Sequence, residues 1–481
     1  MADQPYFYTR LWESIPSALP WTSGDPNAKG DPRKTVKWID GLRGIASIMV
    51  VMTHLARSYD YDLFSPRDNP DVPPRLLQQI VLRIPWQGRL GVTIFAFLTG
   101  YVCALKPMKL ARAGNTNAAF TTIAKSAFRR PPRLMLPATF AMCISWMLAQ
   151  FGAYTVGNRC DSSWTRDASP DIEDSLYKEI IRLFNAFLIA WTNTDYRIHM
   201  VYDEHQWALL PLLKCSMLIF IVCFATALCK YRWRFFICVM LVLYFHQDFK
   251  LDRETFQIQA LYGMILSDLS YEQRYKDLMQ SATWRWPRRI VAWALLAGGL
   301  FVCSYPGEHP EWAPWSQRMA EMSPYMFPPG SNWGKRWTAI GIDMIIMSIF
   351  LTNWSKEFLS STVLLWLGKQ SFAVYLLHGT LLRTVLVWII YGISGQPWVF
   401  TTDDEGNEIP PPWLPRRAPW VFAVGIPCWL VLLYGCASLW TSYVDPVCAK
   451  ITAKIEKQFF DEEDEKGPEL IPMASRPMPT T

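Results

Sequence analysis

Ten stretches of apolar side chains dominate this chain, most of them close to the ~20 residues needed to cross a bilayer as a helix. They lie at about 41–57, 89–105, 134–156, 208–229, 235–247, 256–268, 287–303, 337–353, 362–393 and 418–440. The fifth and sixth are short, and His378 and Gly379 interrupt the long ninth. Hydrocarbon offers backbone amides no water to bond, so segments of this kind cross as α-helices. The predicted fold is therefore all-α, a polytopic integral membrane protein of about ten transmembrane helices. Composition agrees. Charged residues make up 18% of the chain, and hydrophobic residues 51%, where a soluble domain carries about 25% charge. Disorder, collagen and coiled coil are excluded on the same grounds.

The net charge of +6 does not point to nucleic acid, because the basic residues sit in short segments between apolar runs, where they set membrane topology. From Lys106 to Arg133 there are seven Lys and Arg and no Asp or Glu, which predicts a cytosolic segment. Lys29, Arg33, Lys34 and Lys37, then Lys230, Arg232 and Arg234, then Arg274, Lys276, Arg285, Arg288 and Arg289 fit the same alternation. Both termini are then expected in the cytosol. The loops around 58–88, 157–207, 304–336 and 394–417 are expected on the other side of an endoplasmic-reticulum or plasma membrane. The expected organisation is a cytosolic N-terminal tail over 1–37, a transmembrane domain over 38–445 and a cytosolic C-terminal tail over 446–481. No secretory signal precedes the first apolar run, which is expected to target and anchor the chain. Most of the 11 cysteines lie inside apolar runs and none forms a CxxC pair, so neither a disulfide framework nor a thiol metal site is expected. The sequon Asn353-Trp-Ser falls at a helix end on the cytosolic side and is expected to be unused.

Ionisable groups inside spans are costly and are functional candidates by default. The first span reads Trp38-Ile-Asp-Gly-Leu-Arg43-Gly-Ile-Ala-Ser-Ile-Met-Val-Val-Met-Thr-His54. An eleven-residue separation returns Arg43 and His54 to nearly one helix face, about 16 Å apart along the axis. Arg43 then lies near the cytosolic surface and His54 deep in the membrane. That geometry suits a long ligand with an anionic end and a reactive end, the shape of a coenzyme A thioester. In the ninth span Ser371, Tyr375 and His378 fall at i, i+4 and i+7, one helix face. They are candidates for lining an acceptor cavity or bonding another helix. His199 and His205 read as solvated loop residues, and His246 and His309 as non-catalytic. With no HExxH and no carboxylate cluster within the spans, no metal is expected.

Four elements in order resemble the acyltransferase-3 family of multispan membrane acyltransferases, closest in look to its fungal branch. They are Asp40-Gly-Leu-Arg43-Gly with His54, Gly91-Val-Thr-Ile-Phe-Ala-Phe-Leu-Thr-Gly100-Tyr101, Arg130-Pro-Pro-Arg133-Leu-Met-Leu-Pro137, and Leu367-Gly-Lys-Gln-Ser371-Phe-Ala-Val-Tyr375-Leu-Leu-His378. The resemblance covers roughly residues 38–440. It implies acyl transfer from acyl-CoA, with acetyl-CoA the expected co-substrate, to a hydroxyl of a small lipophilic natural product or a sugar. His54 is the expected base, with Arg43 as its catalytic partner. Arg130 and Arg133, helped by Arg129, are expected to grip the carrier, while Ser371, Tyr375, His378 and Trp207 are expected to meet the acceptor. The expected partners are the bilayer, the acyl-CoA and the acceptor, without nucleic acid. One element departs from the pattern: in Trp207-Ala-Leu-Leu-Pro-Leu212, Leu212 stands where the family carries Glu. A non-enzymatic carrier on the same scaffold is the competing expectation.

Overall fold

The computed structural model describes residues 36–192, 200–247, 255–392, 401–402, 408–409 and 411–460. His199 and the two tail ends lie outside these residues. The principal helices are α1 (Lys37–Tyr59), α2 (Arg89–Arg112), α3 (Thr116–Gln150), the short α4 (Ser163–Ala168), α5 (Leu176–Thr192), α6 (Leu209–Thr226), α7 (Tyr231–Gln247) and α8 (Phe256–Leu269). They continue with α9 (Arg285–Cys303), α10 (Trp333–Leu351), α11 (Asn353–Leu359), α12 (Thr362–Leu381), α13 (Pro419–Leu439) and α14 (Asp445–Phe459). Each of the ten expected spans falls on a helix. Seven of the described helices are long and apolar enough to cross a membrane, and an eighth crossing results if α10 and α11, bent by 105°, are taken as one. The expected fifth and sixth spans are α7, of 17 residues, and α8, of 14.

Three segments are more ordered than the sequence pattern suggests. The basic stretch before the third span is already helical, because α3 starts at Thr116, where the Asn115 side chain caps the Ala118 amide, and runs through Pro131, Pro132 and Pro137. Residues 446–459, assigned to the C-terminal tail, form α14, which follows α13 through a π-turn at Trp440–Val444. Buried Cys448 and Thr452 and a doubly hydrogen-bonded Arg129–Glu456 pair, 2.5 Å in each bond, hold α14 in place. The connection at 157–207, expected as a loop, contains α4 and the amphipathic α5.

Helix α12 lies directly on α1, and the glycines of the two motifs allow it. A Cβ on Gly368 would stand 1.9 Å from the Asp40 carbonyl oxygen, and one on Gly44 would stand 2.8 Å from the Gly368 amide. Backbone therefore meets backbone, and the far halves of the two helices bring the His54 and His378 rings within 5.1 Å of each other, tilted by 41°. Among the described residues the β-pairing is a two-residue antiparallel ladder, Thr401–Thr402 with Glu408–Ile409, and one isolated parallel bridge, Cys160 with Leu414.

Candidate active site

Three imidazoles meet where α1, α12 and the turn leading into α6 converge. Ring centroids are 4.3 Å apart for His54 and His205, 4.8 Å for His205 and His378, and 5.1 Å for His54 and His378. His378 is fully buried and His205 is 3% exposed. His54 is partly accessible and lines a cavity that also touches His205, Tyr375 and Trp207. Trp164, on α4, stacks over His54 at 5.3 Å. The reading of His205 as a solvated loop residue is therefore corrected. Its segment folds back as a short 3-10 turn, Glu204–Ala208, that enters the bundle. Gly379 makes the room, since a Cβ there would lie 2.1 Å from His205 Nδ1.

Hydrogen bonding sets the state of this cluster. His378 Nδ1 faces the carbonyl oxygens of Tyr375 at 2.8 Å and Val374 at 3.0 Å. A nitrogen between two acceptors carries the proton, so His378 Nε2 presents a lone pair. That Nε2, His54 Nδ1 and both nitrogens of His205 are buried without a hydrogen-bond partner among the described residues. Buried polar atoms are seldom left unpaired, and four in one cluster mark a site built to exchange a proton or hold a small polar group.

Behind His205 stands a carboxylate. Asp203 Oδ1 is 3.4 Å from His205 Nδ1, Asp203 Oδ2 accepts from Gln206 Nε2 at 3.0 Å, and Arg383 Nη2 approaches Asp203 at 3.9 Å. Burial pushes the Asp203 carboxyl above its ordinary range, and the Arg383 guanidinium pulls against that shift. Arg383 is fully buried and also donates to the Gly379 and Ala168 carbonyls. It sits in a π-turn, Leu382–Leu386, that interrupts the helix just after α12. Such turns re-aim side chains and recur at functional sites. Leu212 packs against the apolar core and brings no polar atom to the histidines. The buried carboxylate beside this cluster is Asp203.

The remaining candidates divide between two places. Tyr375 reaches the cavity, and its hydroxyl donates to the His205 carbonyl oxygen. Trp207 lines the cavity against Phe256, with ring centroids 6.1 Å apart. Ser371 lies about one turn before Tyr375, its hydroxyl returned to the Gly368 carbonyl at 2.8 Å. At the other end of α1, Arg43 pairs with Asp40 at 3.1 Å, and Arg130 is close enough for the two guanidinium charges to interact. Arg130 donates to Ser216 at 3.1 Å and reaches Thr99 at 3.5 Å, which places it among α2, α3 and α6. Arg129 points away, to Glu456, and exposed Arg133 lies near that same carboxylate. Arg43 and Arg130 thus form one cluster and the three histidines another, about 16 Å apart along α1.

The histidines also bear on metal binding. Their nearest ligand nitrogens all lie within 4.8 Å of one another. Nitrogens arranged tetrahedrally around zinc are about 3.4 Å apart, so binding by all three requires the cluster to close. His205, Trp164 and the Asp203–Arg383 pair were missed in the sequence. The available signal was an intramembrane Arg383, which demands a buried partner, and the run Asp203-Glu-His205 beside Trp207.

No solved structure matches the chain. Among curated proteins it is similar to the O-acetyltransferase PaAT-1 of Phomopsis amygdali, 24% identical over 73% of this chain and 73% of the relative. It is also similar to acyltransferase clz18 of Cochliobolus lunatus, 24% identical over 79% of this chain and 88% of the relative. A third relative is acyltransferase R4 of a Phoma species, again 24% identical, over 76% and 87%. The acyltransferase-domain model Acyl_transf_3 matches residues 36–444, from the start of α1 to the end of the π-turn before α14. Both ends of α1, the histidine chamber and the Arg130 segment fall within that match, and the enzyme reading stands over the carrier: this chain belongs to the acyltransferase-3 family and is an acyltransferase that transfers groups other than aminoacyl groups.

Proposed function

We propose that this enzyme is a membrane O-acyltransferase that moves an acyl group, acetyl by preference, from acyl-CoA to a hydroxyl of a small lipophilic natural product or a sugar. The observation that carries the reading is His54. It is the accessible member of a buried histidine cluster, it faces a cavity, and it shares a helix with Arg43. Acyl-CoA enters from the cytosolic end, where Arg43, Arg130 and Arg133 supply cations for its phosphates. The acyl thioester end reaches toward His54. The membrane is the endoplasmic reticulum or plasma membrane, with both termini in the cytosol. PaAT-1, which is named an O-acetyltransferase, supports oxygen as the acceptor atom and acetyl as the group.

The chemistry follows from the cluster. His54 takes the acceptor hydroxyl proton as the oxygen attacks the thioester carbonyl carbon. The tetrahedral intermediate collapses, the carbon–sulfur bond breaks, and the imidazolium returns its proton to the departing thiolate. The products are the ester and free CoA. His205 and His378 stabilise the charged imidazole, with Asp203 behind His205 in the part the family assigns to the Glu replaced by Leu212. The three histidines act here as proton-handling groups, without a metal.

CoA release from acetyl-CoA in purified membranes, with and without a panel of alcohols, tests the reading. It predicts acceptor-dependent release. An enzyme that acylates an acceptor from another donor, and never releases CoA from acetyl or longer acyl-CoA, contradicts it.

A further inference from the structure

The cavity above His54 opens at the end of the bundle opposite Arg43, and its rim is cationic. Arg57, Arg89 and Lys335 line it, and no Asp or Glu does. The three cations come from three helices that meet there: Arg57 from the last turn of α1, Arg89 from the first residue of α2, and Lys335 from the first turn of α10. None of the three is fully exposed, so their charges face the cavity through little water. Arg89 is held in place by Asn332, at 2.9 Å. Glu204 and Glu308 stand near enough to Arg57 to offset part of its charge, yet neither reaches the cavity wall. The first turns of α2 and α10 add the partial positive charge of their amides on the same side. A positive rim around a partly enclosed cavity favours an anion strongly, because low-dielectric walls focus the field.

Positive-inside topology does not account for these residues. They lie at the end opposite the Lys106–Arg133 segment, where that rule places few cations. They also stand too far from Arg43 and Arg130 to belong to the same grip on the carrier.

Resting on the acyl-transfer reading above, we propose that this rim selects an acceptor that is itself an acid: a hydroxy acid whose carboxylate docks on Arg57 and Arg89 while its hydroxyl reaches His54. The spacing defines the substrate further. Arg57 and His54 are three residues apart on α1, neighbours on one helix face with Cβ atoms about 5–6 Å apart. The carboxylate and the acylated hydroxyl must therefore lie within a few bonds of each other. The open space, about 90 Å³, holds that reacting end and leaves a larger acceptor to extend outward past the rim.

The experiment uses purified full-length enzyme in detergent and two labelled probes, 3-(hydroxymethyl)benzoate and its methyl ester, of which the second is uncharged and one methyl group larger. Equilibrium binding of each is measured to the parent, Arg57→Gln, Arg89→Gln and Arg57→Lys, with acetyl-CoA turnover on the same samples. The expected result is a carboxylate bound at least about tenfold more tightly than the ester, a preference lost in both Gln variants and kept in Arg57→Lys. Equal binding of acid and ester by the parent overturns the proposal. So does displacement of the acid by CoA alone combined with weaker CoA binding in Arg57→Gln, which would assign the rim to the donor. Selective binding of the acid at the rim, with no alcohol or hydroxy acid ever acylated, leaves the anion-selective rim standing and counts against the acyl-transfer reading instead.

Discussion

The two ends of α1 are built from different materials. At the Arg43 end, the polar groups are guanidiniums with partners at ordinary distances: Asp40 for Arg43, Ser216 and Thr99 for Arg130. At the His54 end, the polar groups are imidazole rings, four of whose nitrogens lack partners among the described residues, packed beneath Trp164 and propped by a buried carboxylate. The first arrangement is what a charged, mobile carrier needs, since strong charge-assisted bonds form when it arrives. The second is what the proposed base needs, ring nitrogens left open for a proton that moves only during reaction. On the proposed reading a single helix joins a binding end to a chemical end, and substitutions at the two ends should separate binding from turnover.

The largest expected effect is at the chemical end. His54→Ala should lower acyl-CoA turnover by about 100-fold or more at matched protein, the usual worth of a general base. A parent-like rate in acetyl-CoA assays would remove His54 from that role. Gly379→Ala comes next, because its new Cβ drives into the His205 ring at Nδ1 and shifts the cluster without removing a polar group. A displacement of that size should cost about tenfold or more in kcat with KM for acyl-CoA unchanged, as measured by steady-state kinetics. Arg43→Ala and Arg130→Ala should do the reverse, raising KM for acyl-CoA about tenfold, the worth of one charge-assisted hydrogen bond, with a smaller effect on kcat.

Two small effects sharpen the contrast. Arg129→Gln breaks the tie to Glu456 on α14 and should leave kcat and KM within about twofold, because that guanidinium serves the fold. Its thermal midpoint should fall by about 3 °C or less, as expected of a half-exposed ion pair. A large rise in KM for acyl-CoA would return Arg129 to the carrier site. Dialysis against a strong chelator should leave turnover unchanged. Loss of activity restored by zinc would turn the three histidines from proton handlers into ligands.

Much of this was legible before any coordinates. The apolar runs located the spans because the bilayer imposes both length and helicity, and the motif around Arg43 and His54 fixed which face of the first helix mattered. The short α7 and α8 were visible as short runs, yet whether they cross is decided by packing against α2 and its neighbours. His205 was not legible, because a polar run between apolar segments reads as a solvated loop, and only the bend of residues 204–208 into the bundle buries it. Gly379 read as an interruption of a span, whereas it is the socket for the His205 ring. The cationic rim was hidden for the same reason. Arg57, Arg89 and Lys335 are far apart in sequence, at three helix ends, and three-dimensional convergence alone gives them a common role.

The most direct test of the division between the two ends is equilibrium binding of CoA and of a non-transferable acyl-CoA analogue to purified parent, His54→Ala and Arg43→Ala enzymes, with turnover measured in parallel. The account predicts that His54→Ala binds both as the parent does while its turnover collapses, and that Arg43→Ala binds both about tenfold more weakly. Parallel loss of binding in the two variants, or full turnover in His54→Ala, would contradict it.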